Sequence, residues 1–445
     1  MTQRISRGDN CVFCIESCEI SRETWVSSLI DNLSEMIGWM REKEVSYFTG
    51  AQETARLLEN FQCLRIFHHH NQTMSKSLIL AINLMLTAIA ARAVDPLVFI
   101  SAFAPGAKGA IHSFTFNPGS GKLKSVASTS DAEHPFFMAL SPDLRFLYSI
   151  HTKSFGGKDN QVAAYALEGR TGKLRLLNRQ STRGRASCYL SVDATGGTVL
   201  VANYSTGDVA SLLVKPDGSL GKIVSYFKHA APVDAEKKPE PRAHCFVISP
   251  DNRFALAADL GLDQVLSYRL IPATAKLLPN NPPFTKSPQG SGPRHLTFHP
   301  NGKLVYVINE IGNTLSVFDY VAKTGTLKNR QTISTLPKGS KARTHTADVK
   351  ITPDGKFLYG TNRGHDSIAT YRIGKAGKLT LVEIIPSLGK GPQNLAVTPD
   401  GRHLICANMP SNNVVIFQID GKSGKLSVSG DPIEIPSPSC IMIVP

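Results

Sequence analysis

The chain has 445 residues, 42% hydrophobic and 19% charged. That is ordinary for a soluble globular protein, and the length allows two or three domains or one closed β architecture of roughly 300 residues or more. The formal charge of +14, from 49 Lys and Arg against 35 Asp and Glu, favours anionic partners. The basic residues are scattered one or two per turn, as in RTGK, NGK and KSGK, without a basic cluster or basic helix, which argues against a nucleic-acid partner.

The first segment, 1–73, carries Cys11, Cys14, Cys18 and Cys63 together with His68, His69 and His70. It lacks the two separated ligand pairs of a structural zinc site, so no metal is assigned to it. From Met74 the chain reads MSKSLILAINLMLTAIAARAVD. A basic start at Lys76, an apolar run from Leu78 to Ala90 and the small-residue site Ala91-Arg92-Ala93 have the layout of a secretory signal. The run is short for a membrane span, and Asn83 interrupts it. Such a signal works only near the start of a nascent chain. The expectation is therefore that translation starts at Met74, that 74–93 is removed and that 1–73 is spurious or poorly ordered. The product would be periplasmic or secreted, with no stable membrane insertion after cleavage. The rival reading is an uncleaved anchor behind a genuine N-terminal domain. Without use of the signal the protein would be cytoplasmic.

From residue 96 onward the chain repeats itself. The segments FFMALSPDLRFLYSIH, CYLSVDATGGTVLVANY, HCFVISPDNRFALAADL, RHLTFHPNGKLVYVINE, ADVKITPDGKFLYGTNR and QNLAVTPDGRHLICANM align on a Pro-Asp/Asn-Gly-like turn. Each is an alternating strand, a turn and a second strand rich in β-branched and aromatic residues. A third strand and a fourth follow, as in NTLSVFDYV and TLKNRQTIS. The turn position falls at Pro142, Ala194, Pro250, Pro300, Pro353 and Pro399, a period of about fifty residues that suits a four-stranded propeller blade. A seventh copy is split: 96–127 supplies its later strands and PSCIMIVP at 438–445 its first. These features predict an all-β, seven-bladed propeller over 94–445, closed by pairing of the two chain ends so that no sheet edge stays open. Cys188, Cys245, Cys406 and Cys440 fall among the strands without metal-like spacing and read as small buried thiols.

In such a blade the first strand begins and the second ends on the same rim. The first-strand starts are Phe136, Cys188, His244, Arg294, Ala347 and Gln393; the second-strand ends are Thr152, Tyr204, Leu260, Glu310, Arg363 and Met409. Between them His151, Asn203, Asp259, Asn309, Asn362 and Asn408 are polar in every copy, as expected of side chains that bond strand-end backbone. The outer two columns vary, and their acid, base and guanidinium groups gather in three successive blades. Arginine can hold a carboxylate or phosphate through paired hydrogen bonds, and His244 or Glu310 can serve as general base or acid. Rim ion pairs, such as Glu310 with Arg294 or Arg363, explain the same residues without catalysis. Strict alternation puts His295 on the far face from Arg294, in a supporting role. His345 and His365 lie near the same rim as substrate-side or loop residues. No metal-binding or nucleophile-elbow motif appears in the propeller.

GPRHLTFHPNGKLVYVINE, HCFVISPDNRFALAADLG, THTADVKITPDGKFLYGTNRGHDSIATY and PSPSCIMIVP resemble the propeller-type lactonase family over roughly 96–445. That family includes bacterial 6-phosphogluconolactonases of propeller fold and fungal 3-carboxy-cis,cis-muconate lactonizing enzymes. The resemblance implies a catalytic set of His244, Arg294, Glu310 and Arg363, and no cofactor. It implies a small anionic lactone or sugar acid as substrate, opened by metal-independent hydrolysis. Muconate cycloisomerisation and a non-catalytic binding propeller are the alternatives.

Overall fold

The computed structural model describes residues 95–445 apart from 131–132, 153–156, 159 and 232–238. The expected signal at 74–93 and the extension at 1–73 lie outside the described residues.

Seven antiparallel sheets form, each with its strands hydrogen-bonded in sequence order from first to fourth. Numbered from the first complete copy, blade 1 spans 138–181, blade 2 187–228, blade 3 243–286, blade 4 293–334, blade 5 345–386 and blade 6 392–434. Blade 7 joins the two ends of the chain. Pro438–Val444 pairs with Leu97–Ala102 through Val98↔Ile443 and Ile100↔Ile441, and the predicted closure is thereby realised.

Burial falls from the centre outward. In blade 4 the second strand, Leu304–Asn309, is buried at every position because neighbouring blades cover both of its faces. The fourth strand, Thr326–Ser334, is largely exposed, and its sequence is correspondingly polar. A recurring tyrosine bond ties neighbouring blades at three of the joints. The hydroxyls of Tyr148, Tyr306 and Tyr359 donate to the carbonyls of Gly218, Gly377 and Gly424 at 3.1, 3.0 and 2.9 Å. Glycine is required at these joints. Gly377 has φ +77°, and a Cβ there would lie 2.2 Å from Leu304 Cδ1.

The polar column next to the rim is scaffold. Nδ2 of Asn203, Asn362 and Asn408 donates to the carbonyls of Thr182, Thr335 and Ser387 at 3.4, 2.9 and 3.0 Å. Asp259 accepts the backbone N–H of Arg242 and of Leu262. Asn309 departs from the pattern and donates instead to the hydroxyls of Thr314 and Ser316. Asn408 is fully buried, so Asn408→Ala leaves the Ser387 carbonyl without a donor. The expected cost is about 1–3 kcal/mol, read as a lower urea midpoint with an unchanged slope.

Candidate active site

A β-bulge at the start of each inner strand builds the rim. In blades 2, 3, 4 and 6 the ladder passes from Ser187 to Tyr189, Ala243 to Cys245, Pro293 to His295 and Pro392 to Asn394 while the partner strand advances by one residue. Blade 5 shifts between Thr346 and Val349, and the closing strand between Cys440 and Pro438. In blade 1 Phe136 and Phe137 both bond Ile150. The extra residue is thus Cys188, His244, Arg294, Gln393 or Ser439. A bulge breaks strict alternation and re-aims side chains. This corrects the placement of His295 on the face away from Arg294: Arg294 Nη1 lies 3.1 Å from His295 Nε2.

Glu310 sits at the centre of the polar groups. Its Oε2 is 2.8 Å from Arg294 Nε and 3.0 Å from Arg363 Nη2. The Arg294 Nε–H is not aimed along a hydrogen bond, so charge holds that contact. Backbone fixes the carboxylate from both sides. The Glu310 N–H donates to Gly292 O at 2.7 Å, and the Thr346 N–H donates to Glu310 O at 3.3 Å. Arg294 is buried, at 2% exposure. Its Nη1 also donates to Ala347 O at 2.5 Å, while its Nη2 bonds none of the described residues. Arg363 donates to Thr346 O at 3.1 Å and to Gln393 Oε1 at 3.2 Å. Burial, and then the charge of Arg294, pulls the Arg363 guanidinium down to about 10, which still leaves it protonated at neutral pH. Glu310 Oε1 carries no bond to any described residue.

His244 joins the group through ring contacts. Its ring stands edge-on to Tyr204 at 5.4 Å and to His295 at 5.3 Å, with Cys188 Sγ 3.7 Å from its Nδ1. Burial first, and then the Arg294 guanidinium, holds His244 well below the usual histidine range, so the ring is neutral. The four expected catalytic residues are therefore together: three through ion pairs and one through packing. His345 and His365 stand apart. His345 is exposed opposite Arg363 in the ladder, and His365 Nδ1 lies 2.7 Å from Ser367 Oγ. Neither side chain hydrogen-bonds Arg294, Glu310 or Arg363.

Below this layer lies one that the columns did not single out. Phe137, Tyr189, Cys245, His295, Asp348, Asn394 and Cys440 occupy the position after the bulge in successive blades. Phe137 stacks on Tyr189 at 4.3 Å and meets the His295 ring, three blades away, at 5.8 Å. Side chains thus span the middle of the ring. His295 Nδ1 bonds Asp348 Oδ1 at 2.8 Å. Asp348 Oδ2 accepts from Lys350 Nζ at 2.5 Å, Asn394 Nδ2 at 2.8 Å and the Leu395 N–H at 2.9 Å. Comparing the next column, which is polar in three consecutive blades, would have found these residues.

The family described as "Lactonase, 7-bladed beta-propeller" matches residues 97–443. Among curated relatives, the 6-phosphogluconolactonase of Bacillus subtilis is 30% identical over 77% of this chain and 97% of its own length. The 6-phosphogluconolactonase of Formosa agariphila is 32% identical over 74% and 94%. Among solved structures, the periplasmic gluconolactonase of Pseudomonas aeruginosa superposes with a TM-score of 0.73 at 29% identity, covering 79% of this chain and 99% of that one. Fold and matched length agree, and the chain belongs to the lactonase family of seven-bladed β-propellers.

Proposed function

We propose that the chain opens a sugar-acid lactone by general acid–base hydrolysis, with Glu310 as the base. The observation that carries this reading is the division of labour within one carboxylate. Oε2 is held by two arginines, and Oε1 accepts no hydrogen bond from the described residues. A water bonded to Oε1 would lose its proton to Glu310 as it attacks the lactone carbonyl. Arg294 Nη2, which bonds none of the described residues, and the Arg363 guanidinium would donate to the oxyanion of the tetrahedral intermediate. Collapse breaks the bond to the ring oxygen, and the Glu310 carboxyl returns its proton to that oxygen. One water is consumed and one hydroxy acid is formed. His244, neutral and packed on Tyr204, would contact substrate hydroxyls without competing for the proton.

Charge balance supports an unphosphorylated lactone. Among the described residues Glu310 forms ion pairs with Arg294 and Arg363 and with no further basic group, and as its charge passes to the oxyanion the site keeps one net positive charge, with no cluster of cations for a phosphate dianion. Arg242 lies 5.5 Å over the Tyr204 ring, but it is paired with Glu240. An exported product, as the 74–93 segment would give, suits the same substrate class. Among the described residues no helix is long and apolar enough to cross a membrane.

Glu310→Gln keeps the size of the side chain and removes the base. We expect kcat/KM to fall by about 10²–10⁴ with an unchanged circular dichroism spectrum, after correction for spontaneous lactone opening. Retained turnover would reduce Glu310 to a rim ion-pair residue. Arg363→Met removes one oxyanion donor and should lower kcat by about 10²–10³ in the same assay. Side by side, gluconolactone should show a kcat/KM at least equal to that of its 6-phosphorylated form. A strong preference for the phosphorylated substrate would overturn the reading of an unphosphorylated lactone.

A further inference from the structure

Arg294 can serve an oxyanion only if its guanidinium is held in one orientation, and the buried layer beneath it supplies a means. Asp348 is an acceptor on both oxygens. Three donors converge on Oδ2: Lys350 Nζ, Asn394 Nδ2 and the Leu395 N–H. Oδ1 faces His295 Nδ1. A carboxylate accepts, so His295 carries its hydrogen on Nδ1. Nε2 then presents a lone pair, and it lies 3.1 Å from Arg294 Nη1, a group that can only donate. A doubly protonated ring would set two donors against each other at that contact. Burial pushes the His295 ring down to about 3, with Arg294 adding to the effect, which agrees with a neutral imidazole. Burial acts to raise the Asp348 carboxyl, yet Lys350 and His295 outweigh it and hold Asp348 well below the usual carboxylate range.

We infer that Asp348 and His295 are positioning residues for the lactonase reaction: Asp348 fixes the Nδ1–H tautomer of His295, whose Nε2 accepts from Arg294 Nη1 and leaves Nη2 facing the mouth. The inference rests on the lactone-hydrolase reading for its kinetic consequence and on hydrogen-bond donors and acceptors alone for the tautomer.

The informative substitution is Asp348→Asn. The three donors at the Oδ2 position would hold the amide oxygen, so the amide nitrogen would turn toward His295 Nδ1 and donate. The imidazole hydrogen would then move to Nε2 and confront Arg294. His295→Gln gives the opposite test, since its amide oxygen can still accept from Arg294, whereas His295→Leu removes the acceptor. In the full chain, we expect Asp348→Asn and His295→Leu to lower kcat by about 10–100-fold while KM changes less than about threefold, because a displaced catalytic group costs rate more than binding. His295→Gln should stay within about threefold of wild type. A packing role alone would lower the melting temperature of all three without separating Gln from Leu in kcat.

Nitrogen-15 spectra of histidine-labelled full-length protein read the tautomer directly, with the His295 signals identified by their loss in His295→Gln. Wild type should show the hydrogen on Nδ1 and Asp348→Asn should show it on Nε2. A wild-type hydrogen on Nε2, an unaltered kcat in Asp348→Asn or equal activity of the Gln and Leu variants would each overturn the inference. If wild type opens neither gluconolactone nor its 6-phosphate, the lactonase reading fails instead, and the spectra alone decide the tautomer.

Discussion

A ring of blades is stable only if its last joint is as good as the others, and here that joint is a hydrogen-bonded ladder rather than continuous chain. Pro438–Val444 lies beside Leu97–Ala102 and completes the seventh sheet. Its neighbours then fall into place. Cys440 accepts the Met138 N–H on one side, and Asn394 Oδ1 accepts the Ile441 N–H on the other. Without this strand, Val98 and Ile100 would face water and two blades would lose a packing surface. The inward lean of every other blade depends on the same closure, because the central side chains meet only when all seven inner strands surround one axis.

That closure creates an electrostatic problem, and the site is its solution. Arg294 and Asp348 are both removed from water, where an unpaired charge would be very costly. They are reconciled through a sequence of contacts in which charged and neutral groups interleave: Lys350, Asp348, His295, Arg294, Glu310, Arg363. The carboxylates sit between donors, and the imidazole separates Asp348 from Arg294. The sequence ends in Gln393 and the Thr346 carbonyl, which accept from Nη1 and Nη2 of the outer guanidinium without neutralising it.

Much of this was legible in the sequence because a repeat exposes its own exceptions. The turn at Pro300 and its relatives fixed the strand boundaries, and the matching of 96–127 with 438–445 followed from a missing first strand. Arg294, Glu310 and Arg363 stood out because their columns hold other chemistry in other blades. His295 was misplaced because a period of two assumes an unbroken ladder, and a bulge carries no residue signature when the extra residue is Cys, His, Arg, Gln or Ser in turn. Asp348 stayed hidden for a related reason: its importance lies in which atoms meet across three blades, which spacing along one strand does not encode. His345 and His365 lie beside Arg363 on the chain, with His345 its ladder partner, and no side-chain bond links either to the carboxylate among the described residues.

The stacked rings of Phe137, Tyr189 and His295 have a consequence for traffic. They meet ring against ring across the middle of the propeller, below the rim that carries Arg294 and Glu310. On the hydrolysis proposed above, a molecule opened at that rim arrives as a lactone and departs with a new carboxylate, beside the two guanidinium groups assigned to the oxyanion. Departure would then be harder than arrival, and the accumulated acid would compete with fresh lactone at that rim. Such an enzyme would work best where its product is quickly diluted or consumed.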